Sequence, residues 1–272
     1  MKRSDRLVSM TNYLVEHPMK LISLPFFSEK CGAAKSSISE DLAIINRMFI
    51  ADGIGFLEST SGAAGGVRYI PSVDSERSES VINVLCQKLE DPERILPGGY
   101  LFMSDILGDP VTVKEIGRLF ASRFANLKID SIVTVATKGI PLAYAVASYL
   151  NVPVVIVRRD PKVTEGSTVS INYVSGSSKK IQTMVLSKRS LEPGENVCII
   201  DDFMKAGGTI NGIKSLLKEF DANVKAIGVL AEAEDEEEER VVDDYTSLLQ
   251  IKNVDSNNRE IEVTKGNYFF NK

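Results

Sequence analysis

Apolar residues fall at helical spacing near the start of the chain. Leu7, Met10, Leu14 and Val15 lie on one stripe, and Pro18 ends it. A short second helix is predicted over Leu24 to Lys30, with Gly32 as its C-cap signal. Ser36 and Ser37 offer N-cap oxygens for a third helix, and Glu40, three residues after Ser37, fits a capping box. Ile38, Leu42, Ile45 and Phe49 form that helix's apolar face. Two strands follow, Gly55 to Thr60 and Val67 to Ile70, with the small-residue run Gly62 to Gly66 turning between them. Helix, short helix, turn, helix and hairpin is the order of a winged helix-turn-helix.

The pattern changes after a polar stretch, Ser72 to Ser80, which suits a linker or an exposed helix start. From Val81 onward short apolar strands alternate with helical stretches, the signature of an α/β sheet. The chain therefore divides into residues 1–73, a DNA-binding module, and residues 74–272, an α/β domain. The third helix of the first module would enter the major groove by its N-terminal end, where Lys35, Ser36 and Ser37 supply donors. Lys2, Arg3 and Arg6 would add phosphate contacts, and Arg68 lies on the wing. Charge alone does not decide the matter. Across residues 1–71 acids and bases nearly cancel, so only clustering can make a binding face. A helical protein-interaction module is the alternative.

The richest local pattern is Val197 to Thr209. Val197-Cys-Ile-Ile200 reads as a buried parallel strand, with Asp201 and Asp202 at its C-terminal end. Phe203, Met204, Lys205, Ala206, Gly207, Gly208 and Thr209 follow, then an amphipathic helix from Ile210 to Phe220. Small residues let several backbone N–H groups point at one anion, and a helix N-terminus adds partial positive charge. Two carboxylates beside such a cradle repel a phosphate, but they suit the hydroxyls of an attached sugar. Lys205 adds a cation for phosphate, and Thr209 a hydroxyl donor.

This order of residues resembles the 5-phosphoribosyl-pyrophosphate (PRPP) motif of the phosphoribosyltransferase family. The resemblance implies a type I phosphoribosyltransferase fold with a mainly parallel sheet. It also implies that Asp201 and Asp202 meet the ribose 2′ and 3′ hydroxyls and that Ala206 to Thr209 hold the 5′-phosphate. In the family a second loop binds pyrophosphate. Thr137, Lys138 and Gly139, after the apolar strand Ile132 to Val135, match it. A flexible loop or hairpin closes over the ligand in the family, and the long polar segment Asp160 to Lys180 stands in that place. Arg158, Arg159 and Lys162 are its candidate phosphate contacts, and Tyr100 and Phe203 are candidate stacking surfaces for a base.

Taken whole, the chain is similar to the purine operon regulators of Gram-positive bacteria. Ala34-Lys-Ser-Ser-Ile-Ser-Glu-Asp41, Pro92 to Tyr100, Ala136 to Pro141 and Asp201 to Thr209 carry that similarity. It implies a homodimer that binds operator DNA at purine genes and senses PRPP, with Mg2+ accompanying the ligand. By analogy, a guanine nucleotide competes for the same site. Adenine phosphoribosyltransferases have Ala-Thr before Gly-Gly-Thr, whereas this chain has Lys205-Ala206, which favours a sensor over a transferase. A purine salvage enzyme with an added interaction domain stays open, as does a PRPP-binding module acting through protein partners.

Composition narrows the rest. A net charge of −5 announces no nucleic-acid binder by itself. The single histidine, His17, sits at a helix end and reads as a cap, which argues against multi-His metal sites. Cys31, Cys86 and Cys198 are far apart and in no redox or metal spacing, so a reducing cytoplasm is expected. No apolar run is long enough for a membrane span. The acidic run Glu234 to Glu239 reads as a solvated segment.

Overall fold

The computed structural model describes all residues except 63–64, 98–99, 161–162, 175–180, 234–239, 256–257 and 271–272, and the side chains of Val163 and Asn253. Its described residues form two compact units. One comprises Met1–Ser78 with Arg118–Asn126 and Ser148–Asn151; the other comprises Glu79–Gly117, Leu127–Ala147 and Val152–Lys272.

The first unit begins with α1 (Arg3–Glu16), α2 (Leu24–Cys31) and α3 (Lys35–Ala51), followed by the antiparallel pair β1 (Gly55–Thr60) and β2 (Gly66–Pro71). Met10 and Leu14 of α1, Phe27 of α2, and Ile38, Leu42, Ile45 and Phe49 of α3 close on Leu57, Val67 and Tyr69 of the wing. Val15 does not join them. It is exposed, because the buried stripe of α1 runs through Met10 and Leu14. Ser23 caps α2 by accepting from the Phe26 N–H, and Gly32 ends it at φ +60°. Ile22 and Val67 exchange both backbone hydrogen bonds at 2.9 Å, so the segment between α1 and α2 is stitched to the wing. His17 caps α1, its Nδ1 lying 2.9 Å from the Tyr13 carbonyl.

The start of α3 differs from the expectation. Its N-cap is Ala34, in extended backbone, and no side chain caps the helix. Ser36 and Ser37 therefore lie inside the first turn and do not form a capping box. Cap position is set by where the chain leaves the preceding turn, and that point, Ala34, falls two residues before Ser36 and three before Ser37.

The second unit is built on a six-stranded sheet in the order β12-β11-β10-β9-β5-β6. Ahead of the sheet come α4 (Ser75–Leu89), the short pair β3 (Ile95–Leu96) and β4 (Tyr100–Leu101), α5 (Ser104–Gly108) and α6 (Pro110–Phe124). The sheet strands are β5 (Ser131–Val135), β6 (Val154–Val157), β9 (Asn196–Met204), β10 (Asn223–Ala233), β11 (Thr246–Asp255) and β12 (Glu260–Lys265). All neighbours run parallel except β12, which pairs antiparallel at the edge. Helix α7 (Ile140–Leu150) links β5 to β6, and α8 (Gly208–Lys218) links β9 to β10.

One face of the sheet packs Val133, Val135, Val197, Ile199, Ile227 and Val229 against Ile210, Ile213, Leu216 and Leu217 of α8. An antiparallel hairpin, β7 (Thr168–Val174) with β8 (Ile181–Ser187), joins this core through Tyr173, Met184 and Leu186. Part of the predicted loop Asp160 to Lys180 is thus a strand. The connection between β7 and β8 falls on residues 175–180, outside the described residues. Gly212 of α8 faces Tyr173, and a Cβ there would meet the ring at 2.9 Å, so a side chain at 212 would push the hairpin off the helix.

Candidate effector site and DNA-facing groove

Strand β5 has β6 on one side and β9 on the other. From β5 the chain crosses to β6, and from β9 it crosses the opposite way to β10, so the sheet order reverses between these two central strands. Open α/β sheets place ligands at this switch point, beyond the carboxyl ends of the strands. The two loops singled out in the sequence both lie there.

The approach of the two loops is close. A Cβ on Gly139 would lie 2.3 Å from Thr134 Oγ1, 3.1 Å from Asp201 Oδ1 and 3.3 Å from the Ile200 carbonyl. Thr137 and Lys138 stay exposed above it. The Ala136–Thr137 peptide is cis. The strand carrying the carboxylates runs further than the sequence pattern indicated: β9 continues to Met204, so Asp201 and Asp202 lie within it. Asp201 is buried, and its Oδ1 accepts from the Asp202 N–H at 3.0 Å. Burial, then the neighbouring Asp202 charge, push the Asp201 pKa well up. Burial also raises that of Asp202, against the pull of its hydrogen bond with Asp201 and of the Lys138 charge. Two carboxyls share this space with less solvation than either requires alone, and Lys138 and Arg159 are the cations whose fields reach them.

The phosphate loop follows directly. Phe203 to Ile210 line a small cavity of about 60 Å³. Gly207 is the N-cap of α8 at φ +86°, a conformation suited to glycine, and no side chain caps the helix. Among the described residues no side chain caps the first N–H groups of α8, starting at Gly208, and the helix dipole adds to their pull on an anion. The helix starts at Gly208, earlier than the predicted Ile210, which places Thr209 in its first turn.

Other predicted residues fall elsewhere. Arg158 is held by Glu165 at 3.0 Å and by a backbone bridge to Val185. Its neighbour Arg159 is the arginine whose charge acts on Asp201. Tyr100 is exposed on β4 and Phe203 is half-buried near the end of β9. Lys162 lies outside the described residues, as does the acidic run 234–239. Cys31, Cys86 and Cys198 are free and buried, and burial pushes the Cys198 thiol far up.

In the first unit, α3 and the wing border a groove of about 750 Å³. Lys35, Ser39 and Asn46 line it from α3, and Ser59, Thr60 and Ser61 from the wing. Lys2, Lys35 and Ser36 are exposed and Ser37 is half-buried. Arg3 and Arg6 do not stand free. Their Nε atoms donate to Asp41 at 3.0 and 2.8 Å, and Asp41 is fully buried. Arg68 pairs with Glu58 across the hairpin at 2.6 Å. Ser39, Asn46 and the wing serines were missed in the sequence, because which polar residues share a groove depends on the fold of α3 against the hairpin.

A winged-helix unit in one chain with a phosphoribosyltransferase-type sheet defines a class of transcriptional regulator built on a phosphoribosyltransferase fold. Comparisons with known proteins agree. Residues 2–71 match the family model "Bacterial purine repressor, N-terminal", and residues 103–264 match "Phosphoribosyl transferase domain". The purine biosynthesis transcriptional repressor PurR of Bacillus subtilis is 61% identical over 98% of this chain and 93% of its own. The purine biosynthesis transcriptional activator PurR of Lactococcus lactis is 48% identical over 100% of both. Among solved structures, an adenine phosphoribosyltransferase from Thermoanaerobacter pseudethanolicus covers 61% of this chain and 98% of its own, with a TM-score of 0.53 at 21% identity, a likeness of fold. The chain belongs to the PurR family of purine biosynthesis transcriptional regulators. No helix among the described residues is long and apolar enough to cross a membrane.

Proposed function

We propose that this chain regulates transcription of purine biosynthesis genes by binding operator DNA through its winged-helix unit, and that its phosphoribosyltransferase-type unit senses PRPP without catalysing transfer. The observation that carries this reading is the convergence of Gly139, Asp201 and the α8 N-terminus at one switch point, in a chain that also carries a winged helix.

PRPP matches the site group by group. Asp201 and Asp202 accept from the ribose hydroxyls, and each hydrogen bond so made relieves a crowded carboxylate pair. The N–H groups of 206–209 and the Thr209 hydroxyl donate to the 5′-phosphate. Thr137, Lys138 and Gly139 take the pyrophosphate. Mg2+ arrives with the ligand, held mainly by phosphate oxygens, as is usual for this ion. A guanine nucleotide that bears a pyrophosphate competes for the same loops. A homodimer belongs to the same proposal: paired winged helices would read two half-sites of an operator.

The absence of transfer rests on Lys205, which puts bulk and charge where adenine phosphoribosyltransferases carry an alanine. PRPP alters DNA affinity by binding the DNA-bound and free conformations unequally. High PRPP signals demand for purines, so PRPP favours transcription. Incubation with PRPP and each purine base tests the sensor reading directly. The expected result is PRPP binding by calorimetry with no nucleotide formed. Steady nucleotide formation would make the chain a salvage enzyme, the reading that the phosphoribosyltransferase fold supports by itself.

A further inference from the structure

Glu232, near the end of β10, is buried and takes no part in the ligand chemistry above. Its carboxylate is nevertheless fully engaged. One oxygen accepts from Ser247 Oγ at 2.6 Å. The other accepts from the Tyr245 hydroxyl and is ion-paired with Arg240 at 2.6 Å. Arg240 also donates to the Ala233 carbonyl at 3.2 Å, bonds the Tyr245 hydroxyl, and lies 5.3 Å from the centroid of the Tyr245 ring. The guanidinium is thus fixed by a carboxylate, a carbonyl, a hydroxyl and an aromatic face. That is more anchoring than a solvent-facing arginine needs, and it ties down the chain just where Val241 begins.

The two residues after Arg240 reach the phosphate loop. The Val241 N–H donates to the Ala206 carbonyl at 3.0 Å. Val242 is buried, and a Cβ on Gly207 would come within 2.9 Å of Val242 Cγ2. Gly207, at φ +86° and without a Cβ, leaves the backbone many conformations, so the curvature of the loop here must be imposed from outside. Val241 contacts Ala206, and Val242 contacts Gly207.

We propose that Arg240 to Val242 form a latch that sets the curvature of the 206–209 loop, with Arg240 and Glu232 as positioning residues for the ligand's 5′-phosphate. This rests on the reading that the loop takes that phosphate. Without the anchor, the Val241 N–H leaves Ala206 and the loop samples conformations in which its N–H groups no longer converge. Among the described residues no hydrogen bond or ion pair joins the 136–139 loop to the latch, so the pyrophosphate end of the ligand is unaffected.

The experiment is calorimetry on the full chain with three probes: PRPP, ribose 5-phosphate and inorganic pyrophosphate. Arg240→Gln should weaken PRPP and ribose 5-phosphate by a similar factor, roughly tenfold. Pyrophosphate binding should stay as in the wild type, and Arg240→Lys should restore part of the loss. Tyr245→Phe keeps the ring and removes only the hydroxyl; it should show the same selectivity on a smaller scale, and serves if Arg240→Gln folds poorly. Equal affinity of Arg240→Gln and wild type for ribose 5-phosphate would overturn the latch. So would a loss that includes pyrophosphate to the same degree, which marks general damage. If wild type bound neither PRPP nor ribose 5-phosphate, the reading of the site itself would fall, and the latch with it.

Discussion

Gly139 stands against Asp201 so closely that a single added methyl carbon would sit 3.1 Å from the carboxylate and 2.3 Å from Thr134 Oγ1. The loop after β5 and the end of β9 are separate in sequence, and this contact welds them into one site. Gly139→Ala should therefore cost about 1–3 kcal/mol of stability by overpacking and should abolish PRPP binding measured by calorimetry. Adding Thr134→Ala removes the nearer clash, and the double variant should recover part of both losses. Wild-type PRPP affinity in Gly139→Ala alone would refute this role.

Asp201 gives the site a pH signature. Burial and the Asp202 charge raise its folded pKa above the ordinary 3.8. The folded state then holds the proton more tightly than the unfolded state, so this stabilisation is full below pH 3.8 and is lost as pH rises through the folded pKa. Asp202, raised as well, acts in the same direction. Asp201→Asn should raise the unfolding midpoint of the ligand-free protein at neutral pH and flatten its dependence on pH above 3.8. The same change should weaken PRPP roughly 10–100-fold through the lost charged acceptor. Thermal unfolding across pH, with calorimetry at neutral pH, checks both effects.

How much of this was legible in the sequence depends on the range of each interaction. The apolar faces of α1 and α3 follow helical periodicity, and the wing follows its glycines, so the winged helix could be read element by element, apart from Val15 and the cap of α3. The strand, small-residue loop and helix of 196–218 were legible because their pattern is contiguous. Hairpin β7–β8 left a weaker trace. Val169, Ile171 and Tyr173 alternate with Thr168, Ser170 and Asn172, a period-two signal masked by the surrounding polar composition. The Arg6–Asp41 pair and the Arg240–Glu232 anchor left none. Each joins elements whose approach is decided by packing, and a charged residue's partner is not encoded beside it.

The Arg6–Asp41 pair changes what an arginine substitution would mean. Asp41 is wholly buried, and Arg6 is 13% exposed at its side chain against 54% for Arg3. Arg6→Ala should lower the unfolding free energy by about 3 kcal/mol, because a buried carboxylate keeps only the outer arginine. Arg3→Ala should cost much less. Denaturant titration measures both, and equal small effects would show that Arg6 is not structural.

Lys35 is the contrasting case, exposed at the head of α3 and on the rim of the groove between α3 and the wing. Lys35→Ala should leave stability within about 0.5 kcal/mol. It should weaken operator binding and, where the lysine meets a phosphate, reduce the slope of log affinity against log salt by about 0.9. An unchanged affinity and slope would remove Lys35 from the DNA face.

The central claim is that the switch-point site controls the winged helix. It is tested most directly by titrating a purine-gene promoter with the full-length protein at fixed salt, with and without saturating PRPP. The account predicts that PRPP changes DNA affinity by about fivefold or more. It also predicts that Asp201→Ala with Asp202→Ala binds the same DNA but ignores PRPP. Identical DNA affinity with and without PRPP, in wild-type protein shown to bind the ligand, would contradict it.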